Sequence, residues 1–78
     1  MAWIDGLEID EIEGKIHPTN VIAKVRTFRT LDARPVVQID TYGSTDRAVP
    51  GKLSQTIQFG EDVAVELFSL LKRTYGFK

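Results

Sequence analysis

The sequence VIAKVRTFRTLDARPVVQIDTY, residues 21–42, decides the fold of this chain. Apolar and polar side chains alternate in two runs, 21–29 and 36–42, and this period of two is typical of β-strands with two different faces. Residues 31–34 supply a short connection between the runs, and Pro35 is tolerated at the first position of a strand. We therefore predict a β-hairpin over this segment.

A further strand and a helix are predicted after the hairpin. Residues 53–59 alternate again, following a loop over residues 43–51 that is rich in turn-forming residues. Gly60 suits the N-cap of a helix over residues 61–75, which has acids in its first turn and basic residues in its last, and Gly76 suits the C-terminal cap. The apolar stripe of this helix is wider than about 100°, which predicts two contacts, with the sheet and with a second copy of the helix.

Residues 1–16 are predicted to form an acidic N-terminal arm or a first strand. The segment Leu-Glu-Ile-Asp at residues 7–10 alternates and favours a short strand. The element order is then ββββα. We predict a single α+β domain over residues 1–78, with a curved, four-stranded antiparallel sheet whose main part covers residues 21–59 and one C-terminal helix over residues 61–75.

The small size of the chain predicts a dimer. A folded chain of 78 residues buries only about 60 to 65% of the surface that its unfolded form exposes. It contains no cysteine and only one histidine, so neither disulfides nor a histidine-rich zinc site can reinforce it. The sequence has no membrane-spanning apolar run and no signal peptide, which favours a cytoplasmic location.

Charge is distributed unevenly along the chain. Residues 1–14 contain five acidic residues and no basic one, whereas the rest carries all ten basic residues against six acids, a net charge of +4. Such asymmetry is typical of an electrostatic patch with an acidic arm that screens it, although many small domains scatter charges without binding anything.

No catalytic, metal or cofactor site is predicted. His17 precedes a proline in a turn, and neither Ser44 nor Ser54 lies in the Gly-x-Ser-x-Gly context of a nucleophile. The glycines lack the spacing of a nucleotide-binding loop, and the acids at residues 5–13 lack that of an EF-hand. The Pro-Gly-Lys sequence at residues 50–52 is either a plain turn or a phosphate contact. The chain is therefore not expected to be an enzyme.

One group of residues favours a nucleic-acid partner. Lys24, Arg26 and Phe28 alternate onto one strand face, and Tyr42 is expected on the neighbouring strand. A sheet face with cations and aromatic rings but no apolar cover can bind single strands, because the cations hold phosphates and the rings stack on bases. In the alternative, Phe28 and Ile22 pack under a loop or the N-terminal arm and the cations are merely solvated.

The middle of the chain resembles a known family. The segments Val-Arg-Thr-Phe at 25–28, Arg-Pro-Val-Val-Gln-Ile-Asp-Thr-Tyr at 34–42, Pro-Gly-Lys at 50–52 and Thr-Ile-Gln-Phe at 56–59 are similar to the positive cofactor four family of transcriptional coactivator-like proteins that bind single-stranded DNA. The resemblance covers about residues 22–72. It implies a curved antiparallel sheet, dimerisation through the C-terminal helix, and DNA contacts from Arg26, Phe28 and Lys52.

The chain also departs from that family at three positions. The family's cation after its third-strand core is missing at residues 38–40, the second of its paired basic residues becomes Leu53, and its basic residue before Pro50 becomes Val49. These losses weaken the expected DNA affinity, since phosphate contacts supply most of non-specific binding.

We therefore predict a dimeric, non-catalytic protein that binds single-stranded DNA or RNA without sequence preference and without a cofactor. The alternative is a small dimeric protein-interaction or inhibitor module that acts through its acidic arm or exposed sheet face, and a small-molecule binder with a site between subunits remains a third possibility. The predicted nucleic-acid-binding residues are Lys24, Arg26, Phe28, Arg29, Arg34, Tyr42, Arg47 and Lys52.

Overall fold

The chain folds as four β-strands followed by one α-helix, which confirms the predicted α+β class. The computed structural model describes residues 1–43 and 52–78. The strands lie side by side in the order β1-β4-β3-β2. The elements are β1 (Ala2–Trp3), β2 (Ala23–Arg29), β3 (Pro35–Tyr42), β4 (Leu53–Phe59) and α1 (Glu61–Tyr75).

Strands β2, β3 and β4 form the antiparallel part of the sheet that the alternating sequence predicts. The β2–β3 connection is a tight turn, in which the backbone N–H of Ala33 donates to the carbonyl of Thr30 at 2.9 Å. Ala33 has a φ of 65°, in the left-handed region that glycine usually occupies at this point of such a hairpin. Pro35 opens β3 as predicted, and the predicted strand over residues 21–29 begins two residues later, at Ala23.

The predicted first strand at residues 7–10 is wrong, and so is the fully antiparallel sheet. The first strand is β1, which pairs with β4 in parallel, so the sheet is mixed. The backbone N–H of Ile4 extends this pairing by donating to the carbonyl of Gln58 at 2.9 Å. The physical reason is that residues 7–10 offer only two apolar side chains among carboxylates, whereas the indole of Trp3 packs beside Gly60.

Helix α1 begins and ends where the capping pattern predicts. Gly60 is the N-cap in an extended conformation, and Gly76 terminates the helix with a φ of 73°. The N–H groups of Gly76 and Phe77 both donate to the carbonyl of Lys72, so the last turn satisfies its backbone in the manner of a left-handed cap.

The described residues contain a small apolar core. Among them, the buried apolar side chains are those of Val36, Phe59 and Val63. One face of the sheet carries Val25, Val37, Ile39 and Ile57, and we call it the apolar face. It is only half-covered, because Val37, Ile39 and Ile57 are of intermediate exposure and Val25 is exposed. The helix contributes further exposed apolar side chains, at Val65, Phe68, Leu71 and Tyr75.

The acidic arm connects opposite edges of the sheet. The chain leaves β1 at one edge and enters β2 at the other, and residues 5–22 between them contain neither helix nor strand. Ile9, Ile12 and Ile16 are exposed on this arm. Within residues 1–43 and 52–78, no helix combines the length and the apolar content required to cross a membrane.

Candidate nucleic-acid interface

The strand register places the predicted cations and aromatic residue on one face of the sheet. Arg26 pairs with Gln38, Gln38 with Gln58, and Gln58 with Trp3, so these four residues form one row across all four strands. The same register places Lys24, Asp40 and Thr56 in a second row, and Phe28 and Val36 in a third. We call this surface the polar face, and its members are Trp3, Lys24, Arg26, Phe28, Val36, Gln38, Asp40, Thr56 and Gln58.

Asp40 lies at the centre of a hydrogen-bond network on the polar face. Its side chain is buried, and it accepts hydrogen bonds from Thr56 Oγ1 at 2.7 Å and from Gln38 Nε2 at 3.0 and 3.1 Å. Gln58 Nε2 donates to Gln38 Oε1 at 2.8 Å, which extends the network along the row. In the described part of the chain, every buried side-chain polar atom has a hydrogen-bond partner.

This network keeps Asp40 charged. The hydrogen bond from Thr56, followed by that from Gln38 and the charges of Arg26 and Lys24, holds the pKa of Asp40 below its ordinary value, although burial opposes this effect. The polar face therefore presents two cations against one permanent carboxylate at neutral pH.

The two cations of the polar face have different partners. Arg26 Nη2 lies 3.3 Å from Asp40 Oδ2, and more than half of the arginine side chain remains exposed. Lys24 Nζ lies 4.9 Å from the centre of the Tyr42 ring, a cation–π distance. Among the described residues Lys24 has no ion pair to break when it turns to a phosphate. It occupies one face of the ring that was predicted to stack on bases.

Phe28 keeps an open ring. It pairs across the strands with Val36, which is buried, yet 42% of Phe28 is exposed. Ile22 is exposed as well, so the alternative in which both residues pack under a loop or the arm does not hold in this structure. The N-terminal carboxylates do not neutralise the cations either, since the ion pairs among the described residues join Arg26 to Asp40 and Arg34 to Asp32.

The other predicted cations lie away from this group. Arg29 alternates onto the opposite face, and its Nη1 donates to the carbonyl of Ala33 at 2.9 Å. Arg34 Nε donates to Asp32 Oδ2 at 2.8 Å, so both arginines fasten the β2–β3 turn. Lys52 is exposed just before β4. The predicted contact at Arg47 and the turn at residues 50–51 lie outside the described residues.

Sequence reasoning missed Trp3. The strand that carries it has two residues, too few for alternation to be recognised, and its neighbour in the sheet is distant in sequence. The indole is 50% exposed on the polar face, and a Cβ added at Gly60 would lie 3.4 Å from its Cζ2 atom. The polar face thus has an aromatic ring at each outer strand, Trp3 on β1 and Phe28 on β2.

The residues that were weighed as catalytic or metal-binding candidates lie on the surface where the structure describes them. The exposed His17 uses Nδ1 to accept a hydrogen bond from the backbone N–H of Thr19, and Ser54 is exposed on β4. Ser44 lies outside the described residues. Groups of three or more His, Cys, Asp or Glu side chains that could hold a metal ion do not occur in residues 1–43 and 52–78.

The chain matches no known family profile, no curated protein sequence and no solved structure.

Proposed function

We propose that this chain is a non-catalytic protein that binds single-stranded nucleic acid, without sequence preference, on the polar face of its sheet. The observation that carries the proposal is the open ring of Phe28 on a sheet face that also presents Lys24 and Arg26. A ring of this kind can stack on any base, because every base has a π-face, and this explains binding without sequence preference.

Four residues of the polar face, together with Lys52, have a role in this proposal. Lys24 and Arg26 contact phosphates and Phe28 stacks on a base. Asp40 holds the Arg26 guanidinium at a fixed position, but it also cancels part of the positive charge. Lys52 lies near the end of β3, where the N–H of Gly43 donates to its carbonyl, and it extends the phosphate track beyond the strands.

The resemblance to the positive cofactor four family supports the same proposal. The residues that match the DNA-contacting positions of that family, Arg26, Phe28 and Lys52, are all exposed here. The mixed sheet differs from the antiparallel sheet that the resemblance implies, and the difference is confined to β1. Strands β2 to β4 and helix α1 keep the expected order.

We further propose that two copies of the chain associate through α1 and the apolar face. The chain exposes 7088 Å², whereas a compact protein of its mass exposes about 4,800 Å². Its radius of gyration is 14.9 Å, against about 11.5 Å for a compact domain of this length. Part of this surplus lies on the exposed arm over residues 5–22. Another part is apolar, at Val25, Val65 and Phe68, and a second copy would remove it from water.

Binding of a labelled oligonucleotide tests the proposal. A single strand of about eight nucleotides should bind at about 50 mM salt and weaken steeply as salt rises. Phe28→Ala should weaken binding by about fivefold to 150-fold, the range for loss of one stacking ring. Phe77→Ala is the matched control, since this ring is exposed beyond the helix and should leave binding unchanged.

Two results would contradict the proposal. One is the absence of binding at low salt, and the other is an affinity that does not respond to salt. Light scattering of the same samples tests the dimer independently: a monomeric mass at micromolar concentration contradicts association but leaves strand binding as a separate question.

A second function is favoured by the acidic arm. Ile9 and Ile12 are exposed between carboxylates, and Ile16 is exposed between Lys15 and His17. Exposed apolar side chains on an acidic segment suit docking to a protein with a basic, apolar groove. A variant with serine at these three positions separates the two functions. It should bind the oligonucleotide as the wild type does, and loss of a captured protein partner from this variant alone would favour the interaction module.

A further inference from the structure

A cavity of about 430 Å³ opens at the end of the sheet where β1, the β2–β3 turn and the start of α1 meet. This volume is in the range of pockets that hold small organic groups. The residues that define its chemistry are Trp3, Arg34, Val36, Asp62 and Val63.

The cavity adjoins the proposed strand-binding surface. Trp3 and Val36 belong to both, and Val36 pairs directly with Phe28 in the sheet register. Three strand spacings separate β1 from β2, which places Trp3 at least about 14 Å from Phe28, a length of about four stacked nucleotides. A strand that stacks on Phe28 and crosses the sheet therefore reaches the cavity.

The lining of the cavity suits a base and disfavours a phosphate. The half-exposed Trp3 indole offers a flat wall, and Val36 and Val63, each 3% exposed, add apolar surface. Carboxylates of Asp5, Glu61 and Asp62 also line the cavity and would repel a phosphate, whereas they accept hydrogen bonds from exocyclic amino groups. Arg34 is the cation among the lining residues, and its Nε is already bound to Asp32 at 2.8 Å.

We propose that this cavity holds one unstacked base of the bound strand, packed against the Trp3 indole, and that it favours bases with an exocyclic amino group over thymine. The inference rests on the proposed function and adds to it a second stacking residue and a strand path that runs across the β-strands. It also gives the interface a mild base preference that a surface of stacking rings alone would lack.

Trp3 is the only tryptophan of the chain, so its fluorescence reports on the cavity in the unmodified protein. The full-length protein is titrated with labelled single strands of about eight nucleotides, and anisotropy of the label is read beside tryptophan emission. We expect oligo-dC to quench Trp3 in parallel with binding and to shield it from acrylamide. A strand of the same length with abasic sites should bind at low salt without quenching, and oligo-dT should quench less than oligo-dC at equal saturation.

The outcomes separate this inference from the proposed function. If no strand binds, both are wrong. If oligo-dC binds and Phe28→Ala weakens it, while Trp3 emission and acrylamide access stay unchanged, the cavity proposal is wrong and the proposed function stands. Equal quenching by oligo-dT and oligo-dC contradicts the base preference.

Two variants add a test by affinity. Trp3→Ala should weaken oligo-dC binding by about fivefold to 150-fold, and Trp3→Phe should restore most of that loss because a ring is again present. Circular dichroism of both variants shows whether β1 and the helix start remain folded without the indole beside Gly60. Unchanged affinity in a folded Trp3→Ala protein would overturn the proposal.

Discussion

The different partners of Lys24 and Arg26 lead to a quantitative prediction about salt dependence. A cation that neutralises one phosphate of a single strand contributes about −0.7 to the slope of log K against log salt. Lys24 makes no ion pair with a carboxylate of residues 1–43 and 52–78, so Lys24→Gln should remove a full contact and reduce the slope by about 0.7. Between about 50 and 200 mM salt, the affinity of this variant should therefore fall about 2.6-fold less than that of the wild type.

Arg26→Gln should behave differently because Arg26 is shared with Asp40. Its guanidinium must divide its interaction between the carboxylate at 3.3 Å and a phosphate, so the slope should change by less than about 0.4. The same substitution leaves the buried Asp40 without its ion-pair partner, and the midpoint of urea unfolding should fall more than in Lys24→Gln.

The assay is a salt titration of oligonucleotide anisotropy, with urea unfolding of the same proteins. Lys72→Gln is the control, since Lys72 lies in the last turn of α1 and not on the polar face. Equal slope changes for Lys24→Gln and Arg26→Gln would refute the reasoning, as would a change of similar size in the Lys72 variant.

Three further predictions concern the network and the turns. Asp40→Asn should strengthen oligonucleotide binding by freeing Arg26, and it should lower stability at neutral pH. Because the folded pKa of Asp40 lies below its ordinary 3.8, the stability deficit should begin to shrink as pH falls below about 3.8 and should be lost as pH passes through the folded pKa. A deficit in urea unfolding that does not shrink with falling pH would contradict this. Ala33→Gly should raise stability by about 0.5 kcal/mol, or about 2–4 °C in the thermal midpoint, by removing left-handed strain, and an unchanged or lower midpoint would count against it. Gly76→Ala should lower stability by about 1 kcal/mol in the same thermal melts, because alanine is strained at a positive φ. Gly14→Ala is the control, since Gly14 has neither a positive φ nor near neighbours, and it should have no such effect. Equal effects of the two substitutions would show that the helix cap is unimportant.

The local elements follow closely from the sequence, and the reason is that their signals are local. The alternating pattern predicts the ends of β2, β3 and β4 to within two residues. The cap residues Gly60 and Gly76 do the same for the ends of α1. The predicted position of the first strand is wrong because a strand of two residues is too short to show an alternating pattern of apolar and polar side chains. Its position depends on the indole of Trp3 meeting Gly60 and on the free edge of β4, which are remote in sequence.

One part of the candidate site can likewise be predicted from the sequence, and another part depends on how the strands pair. The alternation of Lys24, Arg26 and Phe28 predicts that they share a face, since side-chain direction in a strand depends only on residue parity. The pairing of Arg26 with Asp40 depends instead on the register between two strands, and a shift of one residue would have placed Asp40 on the other face.

The α+β class, the three long strands, the helix with its two glycine caps, and the common face of the cations and Phe28 can all be predicted from the sequence. Three features follow from the pairing of distant segments instead: β1 joins the sheet in parallel, Trp3 shares the polar face, and a buried carboxylate restrains Arg26. The first group depends on neighbours within a few residues along the chain, whereas the second depends on strand order and register, which arise only when distant segments pair.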